Sequence, residues 1–230
     1  MTTSPTTIPK IDRVIRSKRK TFSIEVERNG SLVVRAPNRA SMRNIRGVVK
    51  DKRKWIARKQ HQALEKYTSI APKSFVEGER FLYLGNPYPL VIANATNPPL
   101  TFDNRNFVLS DEHVGEAREA FIDWYKQQAR SVISERVQRY SSPSGIRYRK
   151  LKITNAQKRW GSCSAKGNLC FSWRLAMAPR EVIDYVVVHE LAHIEHKDHS
   201  RKFWDRVEKV LPDYRSRRRW LRDNDHTLTL

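Results

Sequence analysis

The chain has 230 residues, with 45 Lys+Arg against 24 Asp+Glu, a net charge of +21 and 39% hydrophobic content. Six Trp, eight Tyr and eight Phe are too much apolar and aromatic matter for a disordered polyelectrolyte, and the length allows one large or two small domains with a real core. Eight Gly, eleven Pro and two Cys exclude a collagenous, mucin-like or disulfide-scaffold protein, and no apolar run approaches the roughly 18 to 20 residues of a membrane span.

In chain order, residues 1–12 open with a Thr/Ser/Pro-rich stretch that reads as a disordered tail without an export signal; with only two cysteines, a reducing cytoplasm is the expected compartment. Thr21 to Ala36, TFSIEVERNGSLVVRA, is two alternating runs around Asn29-Gly30, the dipeptide of a type I′ hairpin turn. Ser41 then precedes one helical segment to about Tyr67, with Met42, Ile45, Val49, Ile56 and Ala63 on one face and Lys50, Lys52, Arg53, Lys54, Arg58 and Lys59 on the other. Trp55, within that basic cluster, is either a core residue or a platform for a base.

Residues 68–78 read as a linker. Two further hairpins are expected, Arg80 to Ile92 turning at Gly85-Asn86-Pro87 and Leu100 to Leu109 turning near Asp103 to Asn106. A long helix follows from about Val114 to Tyr140, with Ala117, Phe121, Tyr125, Val132 and Val137 facing inward, and Ser141 to Gly145 ends it. Short strands to about Ala176 and then helices complete the chain. Segregated strand-rich and helix-rich segments indicate an α+β fold. The expected division is a β-rich basic segment with one helix at 13–110, a catalytic core at 111–225 and a tail at 226–230.

The excess charge is uneven. Residues 1–66 carry +13 and residues 151–180 carry +6, whereas 181–230 are neutral. Such blocks attract phosphate polyanions, so nucleic acid or nucleotide contact through the basic N-terminal segment is a candidate partnership beside a merely solubilising role.

Chemistry concentrates in Pro179 to Trp204, PREVIDYVVVHELAHIEHKDHSRKFW. Pro179 suits the first position of a helix that is apolar on nearly every side and should therefore be buried. Into it are set His189, Glu190 and His193. Residues four apart share a helix face, close enough for two imidazoles to reach one ion, and Glu190 beside the first is placed to take a proton from a metal-bound water. His196 would lie about 10.5 Å along the axis from His189, too far while the helix continues. His199, beyond Lys197-Asp198, can fold back as third ligand; Glu208 or Asp205 on the next helix are the rivals. The spacing of His189, His193 and His199 equals that of the three metzincin ligands, with His196 in place of their glycine. Asp198 is a candidate to orient an imidazole.

Upstream, Lys158 to Pro179, KRWGSCSAKGNLCFSWRLAMAP, forms a hairpin turning at Ala165 to Asn168 and leading into that helix. Its first strand could pair with an extended peptide, Gly161 permitting close approach, which makes Trp160, Gly161, Ser162 and Arg174 candidate substrate-binding residues; Trp160, Phe171 and Trp173 could equally be packing. Cys163 and Cys170, equidistant from the turn, are placed to face each other, without a disulfide or a ligand role being expected. The oxyanion stabiliser is left open among Tyr185, Tyr214 and Arg174.

In combination, RWGSCS, SWRL, the AP helix start, HELAH and His199 to Trp204 resemble the YgjP-like metallopeptidase family, relatives of SprT-like and WLM zincins, from about residue 12 to 225. The resemblance implies an α+β fold with a minimal zincin-like core behind a β-hairpin-rich segment, Zn²⁺ as cofactor on His189, His193 and His199, and Glu190 as catalytic acid/base. The expected activity is zinc-dependent hydrolysis of a peptide or protein substrate. A metal-dependent nucleotide pyrophosphatase or phosphohydrolase, or a protease acting near nucleic acid, are the alternatives. Against the nucleotide enzyme, no Gly-rich phosphate loop is present and three histidines favour zinc over magnesium.

Overall fold

The computed structural model describes residues 8–27, 29–68, 72–94 and 97–230. Contacts within the chain divide it into two units, 1–71 and 72–230. That boundary differs from the one expected at 110, because Phe81, Leu90, Leu100, Phe107 and Leu109 of the two later hairpins are buried in the same core as Phe121 and Trp124 of the long helix.

In the first unit, strands β1 (Arg13–Ser17), β2 (Ser23–Val26) and β3 (Leu32–Pro37) form a sheet of order β1-β3-β2. β3 is parallel to β1 and antiparallel to β2. Lying centrally, β3 buries Leu32, Val33, Val34 and Ala36, which explains its almost continuous apolar text. β1 escapes the sequence reading because RVIRS carries only two apolar residues. The hairpin closes one residue earlier than an Asn-Gly type I′ turn would: the Gly30 N–H donates to the Glu27 carbonyl at 2.9 Å, with Gly30 at φ 81°. Ser41 caps α1 (Met42–Asp51), its hydroxyl accepting from the Asn44 N–H at 3.1 Å. The segment read as one helix is two, since Lys52 leaves helical geometry before α2 (Arg53–Thr68). Ile45, Val49 and Ile56 still share the core, and Trp55 packs against it half-buried, which favours its packing role. Residues 1–7 of the expected tail lie outside the described residues, while Asp12 is ordered and exchanges hydrogen bonds with Leu32.

In the second unit, β4 (Arg80–Tyr83), β5 (Asn86–Ala93), β6 (Leu100–Phe102) and β7 (Phe107–Ser110) form a sheet of order β4-β5-β7-β6, with β5 and β7 parallel. Of the expected linker, residues 69–71 lie outside the described residues; Phe75 stacks on Phe81 with ring centroids 5.4 Å apart. A 3₁₀ turn at Asp111–Glu116 leads into α3 (Ala117–Ser141), whose Phe121 stacks on Phe81 at 4.1 Å. Side chains of this size contribute about 1.5–3 kcal/mol each when fully buried. The β4–β5 turn docks on the entrance to the next helix: Leu84 and Gly85 N–H groups donate to the carbonyls of Ala176 and Met177 at 2.9 and 3.0 Å. Gly85 has φ 87°, and a Cβ there would meet Pro179 Cγ at 2.8 Å, so only glycine fits.

Strands β8 (Lys150–Thr154), β9 (Gly161–Cys163) and β10 (Asn168–Ser172) form a third sheet, ordered β8-β10-β9. Two details differ from expectation. Trp173 to Met177 is a 3₁₀ turn rather than strand, which turns the chain toward the following helix. Cys170 pairs with Ser162 and Cys163 with Leu169, so the two thiols are one register apart and both are free. Helices α4 (Arg180–Glu195), α5 (Arg201–Val210) and α6 (Tyr214–Asn224) follow. Residues 226–230 are no free tail: Leu228 is fully buried and the Leu230 carbonyl accepts from Arg118 at 3.0 Å. Among the described residues no helix is long and apolar enough to cross a membrane.

Candidate active site

Helix α4 is buried on several sides, with Val182, Ile183, Val186, Val187, Val188, Leu191 and Ala192 in the core. Pro179 precedes its first turn as the capping residue, its carbonyl accepting from Val182 and Ile183 at 3.0 and 3.1 Å. Asp184, 5% exposed, is held by a two-pronged ion pair from Arg136 of α3, one prong being 2.7 Å, with Arg217 of α6 at 3.7 Å. Such bidentate pairing allows a carboxylate to be buried in an apolar helix. At the other end His196 turns extended, φ −124° and ψ 109°, and the chain folds back toward α5.

That reversal brings His199 to the pair on α4. One ring nitrogen from each of His189, His193 and His199 lies within 4.8 Å of the other two, and the Nε2 atoms of His189 and His199 are 3.1 Å apart. Two ligands on one ion at about 2.0–2.1 Å in tetrahedral geometry would be separated by about 3.3 Å. The Nδ1–H of His193 donates to the His196 carbonyl at 3.0 Å, which fixes its tautomer and leaves Nε2 as a lone-pair donor. Burial, then the neighbouring His193 and His199, push His189 down to about 3, and His199 is lowered by the same kinds of influence. Imidazole nitrogens that converge in this way fit a divalent cation. The rivals for the third position face elsewhere: Glu208 pairs with Arg215 at 3.4 Å and Asp205 with Arg201 at 3.8 Å. Asp198 accepts from the Ser200 N–H at 3.2 Å and thus shapes the entry to α5 rather than holding an imidazole by hydrogen bond.

Glu190 is 5% exposed, and burial raises its carboxyl to about 7, with the charge of Arg159 opposing. Its neighbour is Gly161: a Cβ there would lie 2.5 Å from Glu190 Oε1 and 2.6 Å from its Cγ. The glycine expected to admit a substrate therefore admits the glutamate. Ser162 lies beside it on β9, an edge strand paired on one side with β10. Trp160 packs partly buried against the main core, and its carbonyl accepts from Ser172. Arg174 is buried, donating to Asn155 Oδ1 at 2.9 Å and lying 4.2 Å from the Trp173 ring centroid; these contacts give it a structural post. Of the three candidates for charge stabilisation, Tyr185 is in contact with the cluster, its ring 5.8 Å from that of His189, with a hydroxyl raised to about 12 by burial. Tyr214 instead stacks on Trp204 at 5.4 Å.

Three residues that carried no role in the sequence reading belong to the surroundings. Phe203, fully buried, has its ring 4.5–4.9 Å from each of the three imidazoles. Trp204 stacks on His199 at 5.7 Å, and the guanidinium of Arg218 lies 4.8 Å over Trp204. Arg218 follows Tyr214 by one helical turn, so its presence on the face that meets Trp204 is the signal a reader could have used.

Three convergent imidazoles on a buried helix and its return loop, with a buried carboxylate next to the first, form a group that could hold a metal ion. The YgjP-like metallopeptidase domain matches residues 20–224, and the chain belongs to that family, whose members use a divalent metal. No curated protein matches the chain. Among solved structures it is similar to the metallopeptidase zymogen abylysin of Pyrococcus abyssi, at 22% identity over 40% of this chain and 93% of that one, with a TM-score of 0.36, a likeness too slight to carry a structural argument.

Proposed function

We propose that this metallopeptidase is a zinc enzyme in which His189, His193 and His199 hold the ion and Glu190 is the acid/base. The observation that carries the reading is the convergence of three imidazole nitrogens within 4.8 Å beside a buried glutamate, an all-nitrogen donor set that suits zinc. When bound, such an ion supplies polarisation of the scissile carbonyl and a water of lowered pKa. The carboxylate of Glu190 accepts the proton of the attacking water and returns it to the leaving amine nitrogen, which restores the carboxylate and balances the hydrolysis. Gly161 leaves room for that carboxylate, and the Nδ1 bond from His193 to the His196 carbonyl keeps one ligand oriented. Along the edge of β9 an extended peptide can add as a further strand, with Ser162 and Gly161 offering backbone groups; Trp160 and Arg174 support the hairpin from within. Tyr185, whose ring is 5.8 Å from that of His189, is the candidate to stabilise developing negative charge.

Metal analysis and activity separate this reading from the nucleotide alternative. Purified protein should hold one equivalent of zinc and cleave a quenched peptide library, and His199→Ala should lose the zinc. Consumption of nucleoside triphosphates without any peptide cleavage overturns the peptidase assignment of this site, and retained stoichiometric zinc in His199→Ala moves the third ligand elsewhere.

A further inference from the structure

Residues 181–230 are neutral in sum but not in space. Their carboxylates are largely taken by arginines close in sequence or across a helix pair: Glu195 with Arg206 at 2.7 Å, Asp205 with Arg201 at 3.8 Å, Glu208 with Arg215 at 3.4 Å and Asp213 with Arg217 at 2.9 Å. Three exposed cations around the histidine cluster have no such partner among the described residues. Arg218 of α6 lies 4.8 Å over Trp204, which itself stacks on His199. Lys197, in the return after α4, donates to the His193 carbonyl at 2.9 Å, and its charge reaches Cys163 at the end of β9. Arg159 is exposed and lies two residues before the Gly161 that abuts Glu190. The acid among them, Asp198, is bonded to the Ser200 N–H.

We propose that the peptide accepted at this site is acidic, with carboxylates flanking the scissile bond taken by Arg159, Lys197 and Arg218. The inference rests on the peptidase reading above. Arg201, Arg206, Arg215 and Arg217 are each paired with an acid; the three cations beside the cluster stand open on three separate pieces of chain, the lead-in to β9, the loop after α4 and α6. A strand laid along β9 would run between Arg159 at one end and the Cys163 end that Lys197 addresses. Charges spread in this way match carboxylates separated along an extended chain better than the clustered phosphates of one nucleotide, and no Gly-rich backbone loop is present to gather such a group.

The test is a set of quenched peptides identical except for the residues flanking the scissile bond, which are Asp/Glu, Asn/Gln or Lys, assayed with zinc-loaded protein at low and moderate salt. The expected result is a kcat/KM ordered acidic over neutral over basic, by about two- to fivefold for each matched charge at low salt and less as salt rises. The paired substitution Lys197→Glu with Arg218→Glu should reverse the order. As a readout independent of turnover, Glu190→Gln should bind the acidic peptide more tightly than the basic one, with the same salt dependence. Cleavage at equal rates for all three peptides, or an order unmoved by the charge reversal, overturns this inference while the peptidase reading stands. No cleavage of any peptide, together with hydrolysis of a nucleoside triphosphate, overturns both.

Discussion

Gly161 and Glu190 make the tightest local constraint of the site. A side chain at 161 would place its first carbon 2.5 Å from Glu190 Oε1, a separation that atoms do not tolerate, and Glu190 is packed into a buried helix and has little room to retreat. Gly161→Ala should therefore displace the carboxylate and lower kcat by at least tenfold with zinc content unchanged, which steady-state kinetics and metal analysis on the same sample would check; unchanged kcat would show that the carboxylate position is not critical. Removing the carboxylate charge in Glu190→Gln should cost about 10²–10⁴ in kcat if it acts as general base, with zinc retained. The convergence of His189 and His193 beside a buried Glu190 was legible from the i, i+4 spacing alone, whereas the neighbour of Gly161 was not. Sequence shows that a glycine permits close approach; which partner approaches depends on the face that β9 turns to α4.

At the scale of elements, α4 is fixed at both ends by features of different legibility. Its apolar text announced burial, and the polar Lys197-Asp198 after it announced the return that delivers His199. Asp184 did not announce itself, because its partners Arg136 and Arg217 lie 48 and 33 residues away and only tertiary packing joins them. Removing the carboxylate in Asp184→Ala strips the Arg136 guanidinium, with its side chain 12% exposed, of its two-pronged partner and leaves it only the exposed Glu135 carboxylate at 3.3 Å. The expected loss is about 1.5–3 kcal/mol of stability, read as a lower denaturation midpoint; a change within about 0.5 kcal/mol would contradict the clamp. The break at Lys52 between α1 and α2 was equally hidden. No Gly or Pro marks it, and the apolar set Ile45, Val49 and Ile56 continues to read as one face across it. Trp173 to Met177 was misjudged as strand for a related reason: its aromatic and apolar residues suit either state, and the turn is imposed by the need to enter α4.

For the molecule as a whole, the charge that dominates the composition separates into two roles. In the first unit, Arg43, Arg46, Lys50, Lys54, Arg58 and Lys59 on α1 and α2, and Lys52 between the two, are exposed, a basic surface proposed as a contact for nucleic acid. Binding of DNA or RNA there should weaken by orders of magnitude between about 50 and 200 mM salt, measured by fluorescence anisotropy; salt-independent binding, or none at low salt, would leave that charge a solubilising one. In the second unit Arg159, Lys197 and Arg218 border the histidine cluster, where they are proposed to bear on substrate choice. The α+β class and the position of α4 could be read from the chain, but the limit between the units could not. The strands of residues 80–110 look like those of the first unit in composition, and only the aromatic contacts of Phe81 and Phe107 with α3 assign them to the second. The central claim, metal-dependent peptide hydrolysis through three histidines and one glutamate, is tested most directly by following cleavage of one peptide by wild-type protein, the same protein after chelation and zinc restoration, and Glu190→Gln, with metal content determined on each sample. The account predicts cleavage that is lost on chelation, regained with one equivalent of zinc, and absent in a zinc-replete Glu190→Gln; undiminished cleavage by either the chelated protein or the variant would contradict it.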